Sequence, residues 1–136
     1  MYLIVCLDDK NGMLLGGRRQ SRDRVVCEKI AKKATSGKLW MNTYSAKLFS
    51  QIPAEICIDD AFLEKAGEND FCFVENTDFL PYAEKIKKIV LFKWNRHYPA
   101  DKFFSLDLND GLWHLQNSVD FPGFSHERIT MEEYMR

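Results

Sequence analysis

The chain has 136 residues, of which 46% are hydrophobic, 29% charged and 13% aromatic, and its net charge is −1. Those figures describe a globular core and exclude a disordered tract, a fibrous repeat and recruitment of nucleic acid by a global positive field. The length points to one domain spanning 1–136, able to bury about two-thirds of the surface its unfolded form exposes.

Residues 2–7 are an apolar run ending at Asp8 and Asp9, which reads as a buried strand. The stretch DDKNGMLLGGRRQSRDRVVCEKI, 8–30, packs arginines, a glycine pair and the carboxylate of Asp23 between that strand and a helix starting near Ser21 or Asp23. Val25, Val26, Ile30 and Ala34 give the helix one apolar face. Ser36-Gly37 stops it. A second strand is expected over 38–42, a helical turn over 45–50, a third strand over 54–58 and a brief helix between Asp59-Asp60 and Gly67. A fourth strand follows over 71–75, then a short helix in 77–85 confined by Pro81. From Ile86 the character is strand-rich: a long strand over 86–94, loop to about Asp110, and strands over 112–119 and 128–134. Alternating elements followed by strands predict an α/β fold with three αβα layers and a central mixed, mostly parallel sheet finished by antiparallel C-terminal strands.

Cys6, Cys27, Cys57 and Cys72 are widely spaced inside apolar runs, so they read as reduced core thiols. No basic leader precedes a long apolar run and no run reaches membrane-spanning length. The expectation is a cytoplasmic protein with no membrane partner.

The order of these landmarks resembles the dihydrofolate reductase family over nearly the whole chain. MYLIVCLDDKNGM is similar to that family's first strand and the Asn-Gly turn opening its active-site loop, and Asp23 of SRDRVV stands where the family places its pterin-binding acid. KLWMNTYSAKLF resembles the second strand and the phosphate-binding helix start; FCFVENTDFLPYAEKIKKIVLFKW resembles the strand, cofactor turn, short helix and long strand that follow. YPADKFFSLDL and the stretch from Gly111 to Arg136 resemble the closing loop and final strand pair. The departures matter more than the matches. The family's paired glycines fall at Glu75-Asn76, its glycine-arginine-any-threonine element reads Asn42-Thr43-Tyr44-Ser45, its loop tryptophan is replaced by Arg18-Arg19-Gln20, and 58–71 is too short for an extra strand and full helix. The resemblance implies a divergent, shortened scaffold whose dinucleotide site has been dismantled.

Asp23 is the candidate catalytic or ligand-binding carboxylate, against the plainer reading of an acid complementing a helix dipole with Ser21 as N-cap. Arg18, Arg19, Arg22 and Arg24 beside Gly16-Gly17 read as an anion clamp at a helix N-terminus, or as a solvated basic loop partly neutralised by Asp8, Asp9 and Glu28. The candidate ligand-binding set is Asp8, Gly16, Gly17, Arg18, Arg19, Asp23 and Ser45. His97, His114 and His126 lack metal-ligand spacing and read as solvated, so no metal is expected. Ser21, Ser45 and Cys27 lack a nucleophile motif. Lys93 to Tyr98 reads as a stacking platform or a packed corner. The leading expectation is a non-catalytic binder of an anionic, heterocyclic or nucleotide-like small molecule, with no cofactor. The alternatives are a divergent reductase holding NADPH differently and a nucleic-acid or protein interaction module, for which the net charge offers little support.

Overall fold

The computed structural model describes all 136 residues. In chain order its elements are β1 (Tyr2–Leu7), β2 (Gly12–Leu15), β3 (Arg18–Arg19), α1 (Arg24–Lys33), β4 (Leu39–Met41), α2 (Thr43–Ala46), β5 (Ile56–Ile58), α3 (Phe62–Lys65), β6 (Phe71–Phe73), β7 (Lys88–Lys93), β8 (Lys102–Phe103), β9 (His114–Phe121) and β10 (Ile129–Met135). Turns of 3-10 helix cover Ala34–Ser36, Lys47–Phe49 and Leu80–Lys85.

Strand β1 sits in the middle because its side chains serve two cores at once. Leu3, Val5 and Leu7 pack on one face of the sheet and Ile4 on the other, all at 0% exposure. Burying each of these side chains is worth about 1.5–3 kcal/mol, so β1 is held firmly from both faces of the sheet. Strand β7 repeats the pattern, with Ile89 and Leu91 on the first face and Val90 and Phe92 on the second. The resulting seven-stranded sheet runs β5-β4-β6-β1-β7-β10-β9, parallel from β5 to β7 and antiparallel through β10 and β9. It is the mixed, mostly parallel sheet the sequence pattern predicts.

The helices complete three layers. Val26, Cys27 and Ile30 of α1 pack with Ala34, Phe49 and Ile52 on one face, while Phe62 and Leu63 of α3 pack with Ala66, Phe79 and Trp113 on the other. Helix α1 is capped by Asp23, which has extended backbone and accepts from the Val25 N–H, and it ends on Lys32 and Lys33, whose charge complements the dipole. Ser21 lies outside the helix and does not cap it. No helix is long and apolar enough to cross a membrane.

Three local expectations change. Residues 12–19 form a hairpin, not an open glycine loop: Met13 and Leu14 are buried, Gly16 and Gly17 turn the chain at φ 58° and 75°, and β8 adds a third strand to this small sheet. The helical turn expected over 45–50 begins at Thr43, because the Asn42 side chain accepts from the Ser45 N–H and starts it. Strand β9 begins two residues later than expected because Trp113 turns into the core, where the Arg136 guanidinium lies 4.7 Å from its ring centroid.

Candidate functional site

The loops after β1 and β7 meet over the C-terminal edge of the parallel strands, the usual place for a ligand in an α/β sheet. Asp8 ends β1 and is almost fully buried. One carboxylate oxygen accepts from the Gly12 N–H at 2.7 Å and the Lys10 N–H at 2.9 Å; the other accepts from the Tyr98 N–H at 3.1 Å and Gln20 Nε2 at 3.2 Å. Burial raises its pKa, but the four donors outweigh burial and hold it below the ordinary value. Asp8 closes the turn at Asn11, whose φ is 62°, and all its acceptor capacity faces inward.

Gly16 and Gly17 lie at the hairpin tip, not beside the helix N-terminus, because they join β2 to β3 and the chain runs back along β3 before reaching α1. The Gly16 N–H donates to Asp101 at 3.0 Å. The four arginines diverge accordingly. Arg18 and Arg22 are exposed and make no ion pair, and Arg24 pairs with Glu28 on the surface of α1. Arg19 turns inward, binding both oxygens of Glu75 at 2.7 and 2.9 Å while its guanidinium lies 4.4 Å from the Tyr44 ring centroid. Glu75 raises the pKa of Arg19 further. Fully buried Ser45 donates its hydroxyl to the same carboxylate at 2.8 Å. Arg19 and Ser45 therefore converge, as the sequence grouped them, but on Glu75.

Asp23 anchors a second knot. Its Oδ1 accepts from the N–H groups of Val25 and Phe124, each at 2.9 Å; its Oδ2 accepts from the Ser125 N–H at 2.9 Å, the Ser125 hydroxyl at 3.2 Å and His126 Nδ1 at 2.9 Å. Burial pushes its pKa up, yet these donors prevail and bring it to about 2. The approach is so close that a Cβ on Gly123 would lie 2.6 Å from Asp23 Oδ2. His126 is buried, not solvated, stacked on Trp94 with ring centroids 4.7 Å apart; His97 and His114 are exposed as expected. Its Nε2 lies 3.1 Å from both Ser21 Oγ and the Tyr98 hydroxyl. Because the Tyr98 backbone also binds Asp8, one chain of hydrogen bonds joins Asp8 to Asp23. Sequence reasoning missed His126, which stands 103 residues from Asp23 and belongs to no local motif.

Other candidates stand apart. Trp94 is buried and Lys93 pairs with Glu132 at 3.0 Å, so neither is free to stack on a base, while Arg96 and His97 are exposed. Burial pushes the thiols of Cys27 and Cys72 up to about 12, which removes them as nucleophiles at neutral pH. No group of three His, Cys, Asp or Glu side chains has metal-binding geometry.

Open space lies instead between α1 and residues 47–55. One hollow of about 480 Å³ is floored by Cys27, Leu48 and Ile52 and rimmed by Arg22, Arg24 and Lys47, with exposed Phe124 at its mouth. It shares Arg24, Gln51 and Ile52 with a second, wider hollow of about 910 Å³ that continues along α1 past Lys32. Together they make an elongated groove, basic at one end, of the size small-molecule sites have.

A parallel sheet centred on the N-terminal strand, helices on both faces and an antiparallel C-terminal pair at one edge define a dihydrofolate reductase-like fold. Among solved structures the chain is similar to a dihydrofolate reductase from Enterococcus faecalis complexed with NADP(H) and RAB-propyl, with a TM-score of 0.67 and 10% identity over 99% of this chain and 95% of that one. The likeness shows a divergent version of that fold. No protein-family profile matches the sequence, and no curated protein matches it.

The residues at the expected dinucleotide edge do not fit a pyrophosphate. Glu75 presents a carboxylate there, and the nearest guanidinium, Arg19, is already consumed by it. At the start of α2 the Thr43 N–H donates to the Asp60 carboxylate at 3.0 Å and the Ser45 N–H to Asn42, so two of the donors that could meet a phosphate there are already engaged.

Proposed function

We propose that this chain binds an anionic, ring-bearing small molecule, pterin-like or nucleotide-like, and does not transfer hydride from a nicotinamide dinucleotide. The observation that carries the reading is the groove along α1: an apolar floor suits the face of a heterocycle, and Arg22, Arg24 and Lys47 around it suit a carboxylate or phosphate. Within this reading Arg22 and Lys47 touch the ligand. Asp8, Asp23 and Ser45 act one layer behind, shaping loops with carboxylates and a hydroxyl already engaged, while Gly16, Gly17 and Arg18 form a hairpin tip at the margin of the site. The locked Glu75 argues against NADPH, since a dianionic pyrophosphate would meet a like charge and lose an arginine contact worth about 1.5–3 kcal/mol.

Calorimetry with folate, a nucleoside monophosphate and NADPH tests the reading. Folate or the monophosphate is expected to bind, and Arg22→Ala or Lys47→Ala to weaken that binding about tenfold, the loss of one charge-assisted contact at about 1.4 kcal/mol per decade. A micromolar or tighter NADPH complex, with NADPH-dependent reduction of dihydrofolate, would overturn it. Steep loss of binding with salt on an oligonucleotide would favour an interaction module instead.

A further inference from the structure

Ser21, His126 and Asp23 stand in line. Ser21 Oγ lies 3.1 Å from His126 Nε2, and His126 Nδ1 lies 2.9 Å from Asp23 Oδ2. The buried carboxylate makes Nδ1 the protonated nitrogen, so Nε2 is left as an acceptor facing a hydroxyl. The Tyr98 hydroxyl lies 3.3 Å from Ser21 Oγ and 3.1 Å from Nε2; donating to Ser21 Oγ, it leaves the seryl proton to face Nε2. The Trp94 ring stacked on the imidazole holds it against rotation.

Helix capping does not account for this line. Asp23 caps α1 through Oδ1, whereas the histidine is held by Oδ2. Nor does Ser21 belong to the groove along α1. It lines a separate small cavity at the C-terminal ends of β1, β6 and β7, beside Cys6, Gln20, Glu75 and Trp94. That cavity has about 10 Å³, room for about one water-sized group. The Oε1 atom of Gln20, one of its lining residues, is buried without a donor. The backbone N–H groups of Ser21 and Arg22 donate to no acceptor within the chain, and lie just ahead of the positive end of α1, where developing negative charge is favoured.

We propose that Ser21 is a nucleophile for acyl transfer from short-chain esters, with His126 as its general base and Asp23 as the residue that positions the histidine. This goes beyond the binding reading and does not rest on it. Ser21 Oγ forms a bond to the ester carbonyl carbon as its proton passes to His126 Nε2. The tetrahedral carbon then expels the leaving oxygen, which takes that proton, leaving an acyl-serine. Water attacks the acyl-serine by the same route, its proton going to Nε2 and then to the departing Ser21 oxygen, so that ester and water become acid and alcohol. Space beside Ser21 is limited to about one water-sized group, which favours the smallest acyl groups.

The full chain incubated with p-nitrophenyl acetate tests this, with p-nitrophenolate release followed by absorbance and the acetyl group located by peptide mapping. The expected result is acetyl on Ser21 and release at least about tenfold above the buffer rate, falling to background in Ser21→Ala and close to background in His126→Gln. Ser21→Cys, which keeps a nucleophile facing His126, is expected to be acetylated at the same position. Acetyl found only on lysines or on the Met1 amine, or release unchanged in a folded Ser21→Ala, would overturn the proposal. The mapping is made on the unaltered chain, so the decision survives if a variant fails to fold.

Discussion

Replacing Asp23 by asparagine separates the charge of that carboxylate from its shape. The folded pKa of about 2, against an ordinary aspartate value of 3.8, corresponds to about 2–3 kcal/mol at about 1.36 kcal/mol per pH unit. Because the pKa is lower in the folded state, the unfolded chain takes up the proton first on acidification. The stabilisation is therefore present above the unfolded value and disappears as pH falls through the folded one. The amide also fits the site badly: its oxygen can serve Val25 and Phe124, but its NH2 then faces the Ser125 N–H and His126 Nδ1–H, two donors against donors. Asp23→Asn is expected to lose about 3 kcal/mol near neutral pH. Urea melts of both proteins, followed by tryptophan fluorescence near pH 7, near pH 4 and near pH 2.5, should show the gap narrowing between the last two. Asp8, Asp70 and Glu133 also have lowered pKa values, but both proteins share them and their contributions cancel. A gap under about 1 kcal/mol near neutral pH, or one that persists undiminished to the lowest pH, would refute the account of Asp23 as a charge held by its donors.

Arg19→Ala removes both guanidinium contacts from a carboxylate that is only 9% exposed and is expected to cost about 2–3 kcal/mol, read as a lower calorimetric Tm. Gly123→Ala pushes a methyl group to 2.6 Å from Asp23 Oδ2; it should cost about 1–3 kcal/mol by chemical denaturation, and a neutral effect would mean that the 122–126 turn yields freely. Thiol titration of the denatured chain without reductant should count four free cysteines, with Cys27 and Cys72 unreactive at neutral pH before denaturation.

The sheet was legible in the sequence because its signal is local. Strand β1 matches the apolar run at 2–7 residue for residue, and the change from alternating elements to strands after Ile86 announced the antiparallel edge. The β2–β3 hairpin was missed although Met13, Leu14 and the glycine pair spell it out, because the arginines that follow suggested a ligand loop. The site was legible only in part. Asp23 and Glu75 stood out as charges in places where the resemblance called for something specific. What each one binds depends on partners distant in the chain: Arg19 for Glu75, His126 for Asp23. No spacing rule reaches across 103 residues, and a histidine in a glycine-containing turn looks solvated until the fold lays Trp94 against it.

The pairing of the first strand also fixes an order of events during synthesis. Tyr2 faces Phe71 on one side and Lys88 on the other, so β1 has no sheet to join until most of the chain has been made. Strand β10 then closes the exposed edge of β7, and the turn leading into it delivers Phe124, Ser125 and His126 to Asp23. At about 5–20 residues per second of translation, the helix cap and its carboxylate wait several seconds for the residues that complete them. Long-range pairings of this kind also slow folding after release. The line from Ser21 to Asp23 is assembled last, so any activity measured there reports a chain that has folded to its C-terminal strands.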